Sequence, residues 1–227
     1  MEQQQPSIIQ CRRLAELDIA NWDAVREALR DTEPCEYRQY WLDEPSELFQ
    51  PATARVGWTC DALIVYAELS DLDIFNPVTT FNEQAFTEGD AFEVFLRPRQ
   101  QDAYFEIHVT PMNQKFQLRF ESGAFFQSLK GRKGEGDPLE SCKFYTPVIE
   151  SQTRIAQERN RWEVVAALPF SFLVERGTAE EGSEWLFSFS RYDHTRGLPA
   201  PTLSSTSPHA VCNFHRQEEW GILVFTA

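Results

Sequence analysis

Three carboxylates stand where their spacing invites chemistry. Asp90 and Glu93 fall near the start of one alternating segment, and Glu106 falls on the next. A pair of acids can act as general acid and base on a glycosidic bond if the two lie about 5–5.5 Å or about 6.5–9.5 Å apart across it. The sequence holds 35 Asp plus Glu, so chance neighbours are common and the pair alone argues for no catalysis. Asp71, Asp73 and Asn76 (DLDIFN) alternate oxygen ligands as calcium loops do, without the Gly and distal Glu of an EF-hand. Two readings stand there: a calcium site using Asp71 and Asp73, and, favoured over it, a polar turn. His108, His194, His209 and His215 show no zinc spacing. There is no G-x-S-x-G, Gly-rich phosphate loop, H-E-x-x-H or C-x-x-C.

The aromatics offer a different chemistry. There are 18 Phe and 6 Trp, and most fall on one face of an alternating run, where core packing is the default. Phe81, Phe86, Phe125, Phe126 and Phe214 fall instead in polar stretches. A loop ring flanked by amides and acids can stack on the C–H face of a sugar while its neighbours bond the hydroxyls. The opposing reading is a small satellite core tucked under loops.

The elements that must position these residues are mostly strands. Trp22, Val25 and Leu29 repeat at helical spacing behind a capping Asn21, which predicts one early helix. After that the period is 2. Residues 54–59 and 62–69 flank Cys60-Asp61 and predict a tight hairpin. Phe92, Val94 and Leu96, then Phe105, Ile107 and Val109, then Phe116, Leu118 and Phe120 each alternate with polar or outward residues. Trp162 to Leu168, Trp185 to Phe189 and the closing WGILVF add further strands. Leu168-Pro169 runs into one helical turn over 170–174, and polar turns and a Gly-rich loop at 131–136 separate the runs. The expectation is an all-β fold: an antiparallel two-sheet β-sandwich, jelly-roll-like, with short peripheral helices. One domain is expected over 1–227, with residues 1–9 as a flexible N-terminus.

Charge and termini exclude some partners. The formal net charge is -14, which opposes nucleic acid and anionic membrane surfaces alike. No apolar run reaches the ~18 residues of a membrane helix. Met1 to Pro6 (MEQQQP) shows no secretory leader, which predicts a cytoplasmic protein, or an extracytoplasmic one if a leader was removed. Five scattered cysteines, an odd number, fit reduced thiols.

A string of motifs then resembles the family 9 carbohydrate-binding modules and their DOMON-like relatives. In order these are Trp58 with Ala62–Leu69, ending in Ser70-Asp71; Glu88-Gly89-Asp90-Ala91-Phe92-Glu93-Val94-Phe95; Tyr104-Phe105-Glu106-Ile107-His108-Val109; Trp162-Glu163-Val164 to Leu168-Pro169; Trp185 to Arg191; and Phe214-His215 to Trp220-Gly221. The resemblance spans roughly residues 10–227. It implies a β-sandwich with a sugar site at one end, non-catalytic binding of glucan or xylan chain ends in carbohydrate catabolism, and structural calcium. It places the two clamp aromatics at Phe86 and Phe214, the strand acid at Glu93 and the basic partner at His108. Arg191 either reaches the sugar or, favoured, pairs with Glu93. Two other classes stay open. One is a DOMON-like ligand or interaction module, although Met112 lies in a turn only four residues from His108 and makes a poor haem ligand pair. The other is an O-glycosyl hydrolase using Glu93.

Overall fold

Alternating apolar residues become strands because every second side chain shares a face. The computed structural model of the chain describes residues 5–129, 136–174 and 177–227. Among these residues lie β1 (Ile8–Arg13), β2 (Cys35–Glu36), β3 (Ala52–Trp58), β4 (Ala62–Ser70), β5 (Ala91–Pro98), β6 (Tyr104–Val109), β7 (Lys115–Phe120), β8 (Glu150–Ala156), β9 (Arg161–Pro169), β10 (Glu184–Asp193), β11 (Thr202–Ser205) and β12 (Gly221–Thr226). Three short helices join them: α1 (Trp22–Leu29), α2 (Gly123–Leu129) and α3 (Phe170–Leu173).

The main path of the sheet runs β7-β6-β5-β10-β12-β1-β3-β4-β9-β8, with β11 added on β10 and β2 on β3. It curls so that its two halves face each other. Val94, Leu96, Ile107 and Phe189 from one half share a core with Val56, Val65, Val164 and Ala166 from the other. The all-β sandwich with short helices is therefore present. It differs from a purely antiparallel pair of sheets at β1, which runs parallel to both β12 and β3 and joins the halves through hydrogen bonds. Of the stretch 1–9 expected to be flexible, Ile8 and Ile9 instead belong to β1, pairing with Ile222 and Leu223, and Ile9 is buried.

Local chemistry explains the other elements. Thr59 N–H donates to the Ala62 carbonyl at 2.9 Å and closes the β3–β4 hairpin. Asn21 Oδ1 accepts from Ala24 N–H at 3.2 Å and starts α1. That helix buries Val25 and Leu29 on the outer side of β4 and β9, a gain of about 1.5–3 kcal/mol for each side chain. Phe125 and Phe126 sit on α2 rather than in an open loop, with Ser122 Oγ accepting from Phe125 N–H at 3.1 Å. Of the Gly-rich stretch 131–136, only Gly136 falls within the described residues. Cys11, Cys35, Cys60 and Cys212 are free thiols. Among the described residues, no helix is long and apolar enough to cross a membrane.

β5 and β6 are buried on both faces. Their inner face meets the main core. Their outer face carries a second cluster, with Phe95, Tyr104, Phe116, Phe120, Phe126, Phe214 and Trp220. Polar residues sit among those rings, and they form the site.

Candidate functional site

The pairing register sets the floor. Glu93 lies opposite His108, and Phe95 opposite Glu106, across β5 and β6. Glu106 and His108 are two apart, so they share the outer face. Nε2 of His108 therefore meets both acids, at 3.2 Å from Glu93 Oε1 and 2.7 Å from Glu106 Oε1. Glu106 Oε2 is 3.5 Å from His215 Nε2. The other nitrogen of that ring, Nδ1, lies 3.0 Å from the Tyr104 hydroxyl. Glu93 Oε2 is buried and has no hydrogen-bond donor among the described residues.

Burial, reinforced by the charge of Glu106, pushes the Glu93 carboxyl up to about 8, against the pull of His108. Burial also opposes charge on His108, but Glu93 and Glu106 outweigh it and raise that imidazole above its ordinary value. Glu106 is lowered: burial works against its charge, and His215 and His108 prevail. The floor thus favours charge on Glu106 and His108 and a proton on Glu93.

Loops build the walls. Phe86 rides on a short turn over Ala85–Thr87. Its carbonyl accepts from His194 Nε2 at 3.0 Å, and Asn76 Nδ2 donates to the Ala85 carbonyl at 2.9 Å. Gly89 lets this loop close tightly, since a Cβ there would stand 2.6 Å from the Phe75 carbonyl oxygen. Phe214 is held from the other side, where Trp220 Nε1 donates to its carbonyl at 2.7 Å. The loop between β11 and β12 is braced by Arg216, which grips Glu219 through Nε and Nη2 at 2.7 and 2.8 Å.

Between these walls lies a pocket of about 280 Å³. Phe86, Glu93, Phe95, Glu106, Tyr192 and Phe214 line it, together with Phe126, Leu139, Leu203, Cys212, Asn213 and His215. Phe86, Glu93 and Phe214 thus meet in one place, with His108 bonded to two of its acids. The pocket opens on the outer face of β5, β6 and β10. Phe86 and Phe214 do not form a bare facing pair: the Tyr192 ring lies 5.2 Å from the first and 6.1 Å from the second. Glu106 had counted only as a catalytic candidate, and Tyr192 had no role. Both were findable, since Tyr192 alternates with the inward Arg191 and must face the Glu93 side.

Arg191 does not reach the pocket and does not pair with Glu93. It lies opposite Phe92 in the ladder, while Glu93 lies opposite Ser190, so the two side chains point to opposite faces. Its Nη2 stands 3.1 Å from Asp71 Oδ2 and 3.0 Å from Asp193 Oδ2, with all three side chains buried. Asp90 completes that cluster and accepts from the N–H groups of Phe75 and His194 at 2.7 and 2.8 Å. Asp73 turns away to Arg196, whose backbone N–H donates to Oδ2 at 2.7 Å and whose guanidinium bonds Oδ1. Carboxylate oxygens suit calcium. Here a guanidinium already occupies the space between Asp71 and Asp193, so a calcium ion bound to both would meet a like charge at contact distance. The donor set does not fit that ion while Arg191 stays. The haem version fits no better, because Met112 is half exposed and His108 Nε2 is taken by the acids.

No protein-family model and no curated protein matches the chain. Solved structures do. A Bacteroides uniformis protein provisionally described as carbohydrate-binding superposes with a TM-score of 0.75 at 16% identity, covering 97% of this chain and 100% of that one. A family 9 carbohydrate-binding module from Caldicellulosiruptor kristjanssonii, in complex with cellotriose, gives 0.62 at 15% identity over 97% and 94%. A family 9 module from the same organism in complex with glucose gives 0.57 at 15% over 95% and 96%. With near-complete coverage in both directions, the fold of this chain is that of the family 9 carbohydrate-binding modules.

Proposed function

We propose that the pocket binds carbohydrate without transforming it. One observation carries this: two buried carboxylates, Glu93 and Glu106, each with one oxygen that makes no hydrogen bond among the described residues, form the floor of an aromatic-walled pocket. A sugar ring presents C–H faces to Phe86, Tyr192 and Phe214 and hydroxyl donors to Glu93 and Glu106. A volume near 280 Å³ is at the small end of ligand pockets, which run about 300–1,000 Å³. A chain end or a short gluco- or xylo-oligosaccharide is therefore the proposed ligand. The glucose and cellotriose held by structural neighbours support the reading. Calorimetric titration with glucose, cellotriose and xylotriose tests it. Binding is expected, with Phe86→Ala weakening it about tenfold, a loss of about 1.4 kcal/mol. No heat with any saccharide would end the proposal.

The same acids give hydrolysis its case, since oxygens of Glu93 and Glu106 lie within 4.8 Å of each other. A glycosidase needs its carboxyls on either side of the scissile bond. Here one imidazole nitrogen ties both into a single hydrogen-bonded unit. The expected result on an aryl-glycoside panel is no turnover. Turnover abolished by Glu93→Gln would replace binding with catalysis.

A further inference from the structure

Three donor atoms converge at the pocket floor. His108 Nε2 stands 3.2 Å from Glu93 Oε1 and 2.7 Å from Glu106 Oε1. One donor atom from each of the three side chains fits within a span of 4.8 Å. The ladder gathers them, with Glu93 opposite His108 and Glu106 two residues before it on the same face. All three residues are buried, at 2%, 0% and 5% exposure for Glu93, His108 and Glu106. A tetrahedral zinc ion with N and O ligands at about 2.0–2.2 Å holds them about 3.3–3.6 Å apart. The Glu93 pair already stands close to that separation, and the Glu106 pair has to open by about half an ångström.

A second observation is independent of that spacing. Glu93 Oε2 is buried and makes no hydrogen bond among the described residues, although its side chain lines the pocket. The bonds to His108 account for the two Oε1 atoms and leave Oε2 of Glu93 unexplained. A carboxylate can hold a cation through one oxygen or both. Charge fits as well: two carboxylates and a neutral imidazole cancel a divalent cation, so the loaded centre is neutral, as burial among rings demands. Outer contacts steady the ligands, with His215 Nε2 at 3.5 Å from Glu106 Oε2 and the Tyr104 hydroxyl at 3.0 Å from the Nδ1 of that second ring.

We propose that the pocket floor is a divalent transition-metal site of the zinc type, with Glu93, Glu106 and His108 as its protein ligands. Glu93 and Glu106 line the pocket, so coordination positions that the protein leaves free open into it. An imidazole ligand favours zinc, nickel or copper over calcium and magnesium, which prefer an all-oxygen set. A proton must lie between His108 Nε2 and the acid oxygens for those contacts to be hydrogen bonds. The ion takes its place, so metal binding releases protons. The site goes beyond the carbohydrate reading and does not depend on it, since Phe86, Tyr192 and Phe214 stay as walls in either state.

Calorimetric titration of the chelator-treated intact chain with zinc chloride near pH ~7.5, in two buffers of different ionisation enthalpy, tests this. One equivalent of zinc is expected to bind with release of protons, and calcium and magnesium are expected to give no heat. Glu106→Gln and His108→Gln should each weaken zinc binding by about a hundredfold, the upper end of what losing even an outer contact costs. Cys60→Ser should leave it unchanged, which separates the floor from the exposed Glu16, Cys60 and Asp61 group. Either floor variant can disturb folding, so cobalt(II) on the unaltered chain gives a second readout: visible bands of nitrogen and oxygen ligands, without thiolate charge transfer. A thiolate band would put the ion on a cysteine and overturn the site. So would zinc affinity unchanged in a folded Glu106→Gln protein, or no zinc heat with the unaltered chain. Saccharide titration of the metal-free chain is a separate measurement, so the loss of either reading leaves the other standing.

Discussion

At the scale of the residue, the Glu93–His108–Glu106 unit makes the fold pH-sensitive. The unfolded chain would hold Glu93 near about 4.3, whereas the folded protein holds it at about 8. Folding therefore takes up a proton across that window, and stability falls as pH rises through it. His108, also raised, acts in the same sense: its contribution is complete below about 6.5 and is lost above its folded value. Glu106, lowered, acts oppositely, and its contribution is lost as pH falls through its folded value. Thermal melts should give a higher Tm near pH ~5 than near pH ~8.5, and Glu93→Gln should flatten the decline. A Tm that rises steadily to pH ~8.5 would contradict this balance. Arg191 makes a second residue-scale statement. With its guanidinium among Asp71, Asp90 and Asp193, calcium should leave Tm unchanged relative to a chelator, and Arg191→Met should cost about 3–5 kcal/mol, as for any broken buried pair. A calcium-dependent rise of several degrees would show that the arginine yields its place. The strand acid, the histidine and the loop aromatics were legible because the period of 2 and the polar flanks mark them. The partner of Arg191 was not, because Asp71 arrives from a loop distant in sequence and only the register tells which face each side chain takes.

At the scale of the element, two loops hold the walls, and each is fixed by backbone contacts rather than by aromatic packing alone. Gly89 is the tightest point of the first. Replacing it with Ala drives a Cβ to 2.6 Å from the Phe75 carbonyl oxygen and 2.7 Å from the Asn76 Cα. The expected result is a loss of about 1–3 kcal/mol of stability, as for other overpacked sites, with weaker saccharide binding because Phe86 is carried by the same turn. Unchanged melting and unchanged affinity would show that the turn relaxes freely. The helix α1, the β3–β4 hairpin and the turn at α3 were readable from capping, spacing and proline. α2 was not: seven residues beginning at Gly123 carry too short a pattern for helical periodicity, so its Phe126 read as a loop ring. It now lines the pocket and stacks on His215 at 3.6 Å between centroids.

At the scale of the whole molecule, β1 is the join. It bonds in parallel to β12 on one side and β3 on the other, and the main path of the sheet crosses from one half to the other only there, with a single further bridge between Ser205 of β11 and Arg38 beyond β2. Deleting residues 1–13 should abolish cooperative melting rather than trim a tail, and a truncated chain that still melts with a sharp transition would show that the halves pack without it. The alternation of apolar residues revealed the sandwich, but direction is invisible to a period of 2, so the parallel pairs could only come from the three-dimensional arrangement. That arrangement also imposes an order on synthesis. Ile8 sits beside Ile222 in the middle of the sheet, so a nascent chain holds β1 without a partner on that side until the residues between β1 and β12 have left the ribosome. Contacts between segments so far apart in sequence close slowly. During that wait the edge of β1 stays exposed, and the emerging chain depends on prompt completion, or on a chaperone, to avoid pairing with a neighbour.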